Sequence, residues 1–213
     1  MIYINALINY LYINLIYYTL GGIFYLIDYY KCYQKIQIDK EDKTMATYAL
    51  SLPTVLMNTF VYMIPVALIT GYYDDHHHGN FDLLRCLIDI AISMPLIDIF
   101  FYLGHRIFHI NYLYGFHKKH HEIIAPVGIT AVYMSPIDMY FGNILPLFTP
   151  IYLLRSHPIT VKIWVLIVLS NTICVAHSGC QSLSEFHDYH HYAFNKNYGT
   201  DIFMDRLFGT YHG

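Results

Sequence analysis

Charged side chains are scarce in this 213-residue chain: 13%, against 56% hydrophobic residues and a mean hydropathy of +0.37. An ordinary soluble domain carries about a quarter charged residues. The formal net charge of −3 gives no grounds for a nucleic-acid or other strongly charged partner. Cysteine is sparse too. Cys32, Cys86, Cys174 and Cys180 form no C-x-x-C pair and show no even spacing, so they read as buried or lipid-facing reduced thiols, with neither a disulfide nor a metal role. The N-terminus lacks a basic region and a small-residue cleavage site, so its apolar run reads as a membrane span, not a cleaved signal. Without repeats or linkers, residues 1–213 read as a single domain.

Long uncharged runs fill the space that charge leaves. Residues 1–27 and 45–70 carry none, and each exceeds the roughly 20 residues that cross the hydrocarbon layer as a helix. A third run, Cys86 to Gly104, is interrupted only by Asp89, Pro95 and Asp98. Two shorter runs, Met139–Leu154 and Ile163–Ala176, flank Arg155-Ser-His-Pro and predict a helical hairpin returning to the side it left. The expected fold is therefore all-α: an integral membrane protein with about four to five membrane helices and a cytosolic helical cap. Residues 1–104 are spans, 105–138 and 177–213 are cytosolic metal-binding segments, and 139–176 is the hairpin. Basic residues set the orientation. Lys31, Lys35, Lys40, Lys43, Arg106, Lys118, Lys119, Lys196 and Arg206 fall on one side, and only Arg85, Arg155 and Lys162 on the other. The more basic side is expected in the cytosol.

Fourteen histidines stand in this background. Three clusters lie on the predicted cytosolic side: His105-x-x-x-His109, His117-x-x-His120-His121 and His187-x-x-His190-His191. Residues at i, i+3 and i+4 share a helix face, so each cluster is expected to aim two or three imidazoles one way. H-x-x-H-H occurs twice, where chance at this histidine frequency gives well under one copy. His177 ends the hairpin at the same depth as His105. Nine imidazoles exceed the four ligands of a single zinc site and predict two metals. Imidazole suits iron, zinc, copper and nickel alike, so ligand type leaves the metal open. Asp98, Tyr102, His105 and His109 share a helix face, which makes Asp98 and Tyr102 candidates for orienting a ligand histidine. Asp188 and Asn195 are weaker candidates. His76-His77-His78 reads as a solvated turn. Lone histidines deep in facing spans, which a haem carrier would need, are missing. Ligands strung along a membrane path, as in a metal transporter, are missing as well.

Between Asp98 and Thr210 the chain resembles the fatty acid hydroxylase/sterol desaturase superfamily, and within it the C4-methylsterol monooxygenases. The resemblance rests on D-I-F-F-Y-L-G-H-R-I-F-H (98–109), H-K-K-H-H-E-I-I-A-P-V-G-I-T-A-V-Y (117–133), A-H-S-G (176–179), H-D-Y-H-H-Y-A-F-N-K-N-Y-G (187–199) and D-R-L-F-G-T (205–210). It implies an O2-dependent oxidoreductase of the endoplasmic reticulum membrane. It also implies a di-iron centre held by His105, His109, His117, His120, His121, His177, His187, His190 and His191, with zinc an alternative in isolated protein. Electrons would come from NAD(P)H through a reductase and a b-type cytochrome, and the substrate would be a lipid, a sterol first. A fatty acyl or sphingolipid hydroxylase or desaturase would use the same centre, and a non-catalytic relative is a further alternative. The stretch that reads A-E-Y-A-H-P-x-E in methylsterol oxidases is here Ala131-Val-Tyr-Met-Ser-Pro-Ile-Asp138. Ser135 thus replaces a histidine, Val132 the first glutamate and Asp138 the second. If that histidine is a ligand, this chain is one imidazole short.

Overall fold

Backbone in an apolar medium has to satisfy its own hydrogen bonds, and a helix does so within one segment. The computed structural model describes residues 1–32 and 43–213, and among these there is helix and no strand. Lys35 and Lys40 of the expected basic loop lie outside the described residues.

The first helix, α1 (Ile2–Tyr29), is followed by α2 (Thr44–Met57) and α3 (Met63–His76), which a π-helical turn at Asn58–Tyr62 joins into one rod. Next comes α4 (Leu83–Phe108), capped by the Asp82 carboxylate, which accepts from Arg85 N at 2.6 Å. A returning pair follows: α6 (Leu145–Leu153), preceded by a π segment at Asp138–Ile144, and α7 (Pro158–Ser170), followed by one at Asn171–Ala176. Among the described residues four stretches are long and apolar enough to cross a membrane: Ile2–Tyr29, Thr44–His76, Leu83–Phe108 and Pro158–Ala176. The shortest, at 19 residues, is about 28 Å long, close to the hydrocarbon thickness of roughly 30 Å. The α6 arm falls short of that length, and the expectation of four to five spans reflects it.

These helices are apolar outside as well as inside. Ile4, Leu7, Leu11 and Leu15 on α1 and Leu84, Leu87 and Ile88 on α4 are all exposed, as lipid-facing surfaces require. Small residues and polar pairs hold the bundle together. A Cβ added at Gly71 would fall 2.5 Å from Ala6 N, so α1 and α3 touch backbone to backbone. Asn9 Nδ2 donates to Asp74 Oδ2 (3.0 Å), which also takes Lys162 Nζ at 2.7 Å. The π turns free carbonyls that side chains then satisfy: Tyr10 donates to Phe60 O at 3.2 Å and Tyr140 to Tyr62 O at 2.6 Å. At the end where α4 and α7 finish sits a cap. It consists of α5 (Asn111–His117), 3-10 turns at His120–Glu122 and Gly128–Val132, α8 (Gln181–Ala193) and α9 (Ile202–Leu207).

Candidate metal centre

Four pieces of chain bring the nine histidines together. His105 lies in the last turn of α4, and His109 is the residue that closes it. His117 ends α5, and the chain then tightens into the 3-10 turn that carries His120 and His121. His187, His190 and His191 lie on α8. At His177 the π segment matters directly. Its widened turn leaves Thr172 O to accept both the His177 backbone N–H (3.1 Å) and its Nδ1–H (2.9 Å).

Each motif does not aim all its rings one way, as its spacing predicts. The histidines sort into two groups, His105, His109, His117, His121 and His190 in one and His120, His177, His187 and His191 in the other, with ligand atoms in each group within 4.8 Å of one another. In every motif the i and i+4 members stay together. In both H-x-x-H-H motifs the i+3 member crosses to the other group, so His120 and His190 change places. On a helix i+4 lies about 40° to one side of i and i+3 about 60° to the other, so an H-x-x-H-H helix has a ring for each of two flanking sites. The groups are neighbours: the rings of His121 and His191, one from each, have centroids 4.9 Å apart.

The donor atoms fit a bound cation. His105 Nδ1 donates to Tyr198 O (2.8 Å), His190 Nδ1 to Lys196 O (2.7 Å), His120 Nδ1 to Tyr133 O (3.3 Å) and His177 Nδ1 to Thr172 O (2.9 Å). A carbonyl only accepts, so each of these rings carries its proton on Nδ1 and turns a bare Nε2 lone pair inward. His177 Nε2 is buried and has no hydrogen-bond partner among the described residues. In the larger group Nε2 atoms meet Nε2 atoms at 3.0–3.2 Å: His117 with His105 and His121, and His121 with His109 and His190. Two nitrogens held by one ion at about 2.0–2.1 Å lie roughly 2.9–3.4 Å apart, according to the angle between them. A cation relieves the repulsion among such lone pairs. Burial favours the neutral, ligating form of imidazole. It lowers His109 and His120 to about 4 and His177 to about 3, and holds His117, His121, His187, His190 and His191 well below the ordinary histidine range.

The supporting shell differs from the one the sequence points to. Asp138 accepts from His117 Nδ1 at 2.8 Å and is buried. Its place is kept by Gly142, where an added methyl group would clash with Asp138 Oδ1. Asn58, in the second span, donates to Val132 O (2.6 Å) and Met134 O (3.0 Å), the two carbonyls flanking the Tyr133 carbonyl that holds His120. Asp98, by contrast, bonds to none of the histidines among the described residues. It accepts from Asp201 N (2.9 Å) and Met204 N (3.0 Å), pinning the loop that carries Tyr198 O. Tyr102 accepts from Arg106 at 2.6 Å and pairs with Thr210 at 3.0 Å, anchoring the same segment. Asp205, buried in the closing motif, receives Tyr198 N and Gly199 N. Asp188 takes the Ser184 hydroxyl at 2.5 Å. Asn195 is exposed; the buried amide is Asn197, in the left-handed region at φ 55, which ties Phe186 O to His212 O. Ser135 is a helix cap. It accepts from Asp138 N (3.2 Å) and donates to Phe116 O (2.7 Å), so its hydroxyl is committed locally.

Below the histidines runs a cavity of about 760 Å³, in the size range of small-molecule sites. His105, His117, His120, His177 and His187 close one end, and Ile97, Leu147, Trp164 and Val168 line the apolar depth. Trp164 is fixed by its indole N–H on Leu147 O at 2.9 Å.

The fatty acid hydroxylase family profile matches residues 90–210, the stretch holding all nine histidines. Human fatty acid hydroxylase domain-containing protein 2 is 36% identical over 128 residues, 58% of this chain and 38% of that protein. Rat methylsterol monooxygenase 1 is 32% identical over 215 residues, 89% of this chain and 70% of that protein. A very-long-chain aldehyde decarbonylase of Oryza sativa subsp. indica is 36% identical over 138 residues, 57% and 51% of the two chains. The chain thus spans about two fifths of the human relative's length and about half of the rice relative's. No solved structure matches significantly. A profile that covers more than half of the chain, with a relative aligned over nearly all of it, settles the classification: the chain belongs to the fatty acid hydroxylase family.

Proposed function

We propose that this protein is a membrane-bound, O2-dependent lipid oxygenase whose two histidine groups each hold an iron ion. The observation that carries this reading is the convergence of nine imidazoles, eight of them buried, into two groups, with five of the nine at one end of an apolar cavity. Bound iron would supply the oxidising chemistry that no side chain can. The chain's own residues do the rest. His105, His109, His117, His121 and His190 hold one ion, and His120, His177, His187 and His191 the other. Asp138 and the Tyr133, Thr172, Lys196 and Tyr198 carbonyls fix the ring orientations. Ile97, Leu147, Trp164 and Val168 exclude water and position an apolar substrate.

Sterols are the first lipid class to test, because a methylsterol monooxygenase aligns with 89% of the chain. Hydroxylation or desaturation of an acyl or sphingoid chain is the second reading, favoured by the depth of the apolar channel. The histidine end faces the cytosol of the endoplasmic reticulum, where an NAD(P)H-dependent reductase and a b-type cytochrome supply electrons. Two measurements test the whole. Purified protein should contain near two irons per chain, and its expression in cells lacking a methylsterol oxidase should restore the missing sterol product. Metal-free protein with no oxidised lipid would overturn the oxygenase reading. Two irons with a hydroxylated acyl lipid would move the substrate class.

A further inference from the structure

On the helices that wall the cavity, the side chains below the histidine layer are apolar or already paired, with two exceptions. Thr172 Oγ1 donates to Val168 O at 2.8 Å. Asn143 and Asn171 also line the cavity, yet neither carboxamide has a hydrogen-bond partner among the described residues. Each sits in a π-helical segment, Asp138–Ile144 for one and Asn171–Ala176 for the other. Asn143 is half-buried and Asn171 exposed, but at bilayer depth the surroundings offer no water to bond them, so an unpaired carboxamide there is costly.

Their depths agree. Asn143 stands five residues beyond Asp138, which touches His117, and Asn171 six residues before His177. At roughly 1.5 Å per residue, less where the helix is wide, both lie about 7–9 Å below the histidines. Ile97, Leu147 and Trp164 continue the channel beyond them. The channel is therefore apolar at its far end and metal-binding at its near end, with two amides, each both donor and acceptor, in between.

We propose that Asn143 and Asn171 form a substrate-recognition subsite. It grips a hydroxyl, keto or amide oxygen that the lipid carries about 7–9 Å from the carbon presented to the histidines. The inference rests on reading the cavity as the substrate chamber, and it narrows that reading. A methylsterol whose only oxygen adjoins the oxidised methyl group leaves both amides unpaired. A lipid with an oxygen function further along its length satisfies them.

The test is a binding measurement on purified, iron-loaded protein in nanodiscs, with hexadecane and 7-hexadecanol displacing a fluorescent acyl probe. Wild-type protein should yield to the alcohol at a concentration at least tenfold lower than to the alkane. Asn143→Leu/Asn171→Leu should lose that preference while keeping its iron and its affinity for hexadecane. Asn171→Leu alone should lose part of it, and it decides the matter if the double variant fails to fold. Equal displacement by both probes in wild type overturns the proposal, as does a preference that survives substitution. Displacement by neither overturns the substrate chamber as well. Turnover does not enter this readout, so a failure of the oxygenase reading, seen as missing iron or missing product, stays distinct.

Discussion

At one end of the helix bundle His76, His77 and His157 lie among aromatic rings, with His78 exposed beside them. His76 stacks on Tyr72 with centroids 3.9 Å apart, His77 meets His157 edge-on at 5.1 Å, and His157 caps α7 by accepting from Ile159 N at 3.1 Å. At the other end nine imidazoles turn bare nitrogens on one another. Both ends are rich in histidine, so abundance does not separate them. What separates them is where the second ring nitrogen goes. At the metal end carbonyls and a carboxylate take Nδ1 of His105, His117, His120, His177 and His190 and leave Nε2 for a cation. At the far end the rings serve as caps and stacking partners, and no converging group forms there among the described residues.

Breaking the comparison at the metal end should have the largest effect. His190→Ala or His120→Ala should abolish metal loading and turnover, whereas His77→Ala and His157→Ala should leave metal content unchanged. Elemental analysis of the four proteins is the check, and full iron in either of the first pair would refute the ligand assignment. Next comes the shell behind the ligands. Asp138→Asn should weaken metal binding about 10- to 100-fold, as loss of a ligand-orienting carboxylate typically does, and Gly142→Ala should follow it by displacing the same carboxylate; chelator titration measures both.

Acidification sharpens the contrast further. Burial lowers His109 and His120 to about 4 and His177 to about 3, against an ordinary value of about 6.5. Their neutral form therefore persists well below pH 6, and iron should stay bound as pH falls to about 5 and be lost towards 4. In metal-free protein the unfolded chain takes up protons from about pH 6.5 downward while the folded chain resists until about 4, so stability falls as pH falls through that window. Iron release centred near pH 6.5 would contradict the buried placement. The smallest effect belongs to Ser135→His. It removes a helix cap worth about 1 kcal/mol and should slightly lower the melting temperature without raising the metal count. A gain of bound metal would show that the position is a ligand site after all.

The sequence made the helices and the nine histidines legible because both signals are local: uncharged runs longer than a bilayer, and spacings of three and four. Their pairing into groups was not legible. The exchange of His120 and His190 depends on how α8 packs across the turn at 117–122, about seventy residues away. The same distance hid Asn58, whose carbonyl partners lie 74 and 76 residues on. Asp98 stood on the face of α4 that carries His105, and spacing alone pointed it at a ring. It reaches backbone N–H groups 103 and 106 residues later instead. Between Asn195 and Asn197, two residues apart in one motif, only the fold shows which is buried.

The exchange of His120 and His190 also has a consequence for how the protein is made. Each group draws on the segment 187–191, and so neither is complete while the ribosome is still producing the helices before it. Completion is uneven, because the two groups share both H-x-x-H-H motifs: a nascent chain that ends before His187 already carries four of the five ligands of one group but only two of the four of the other.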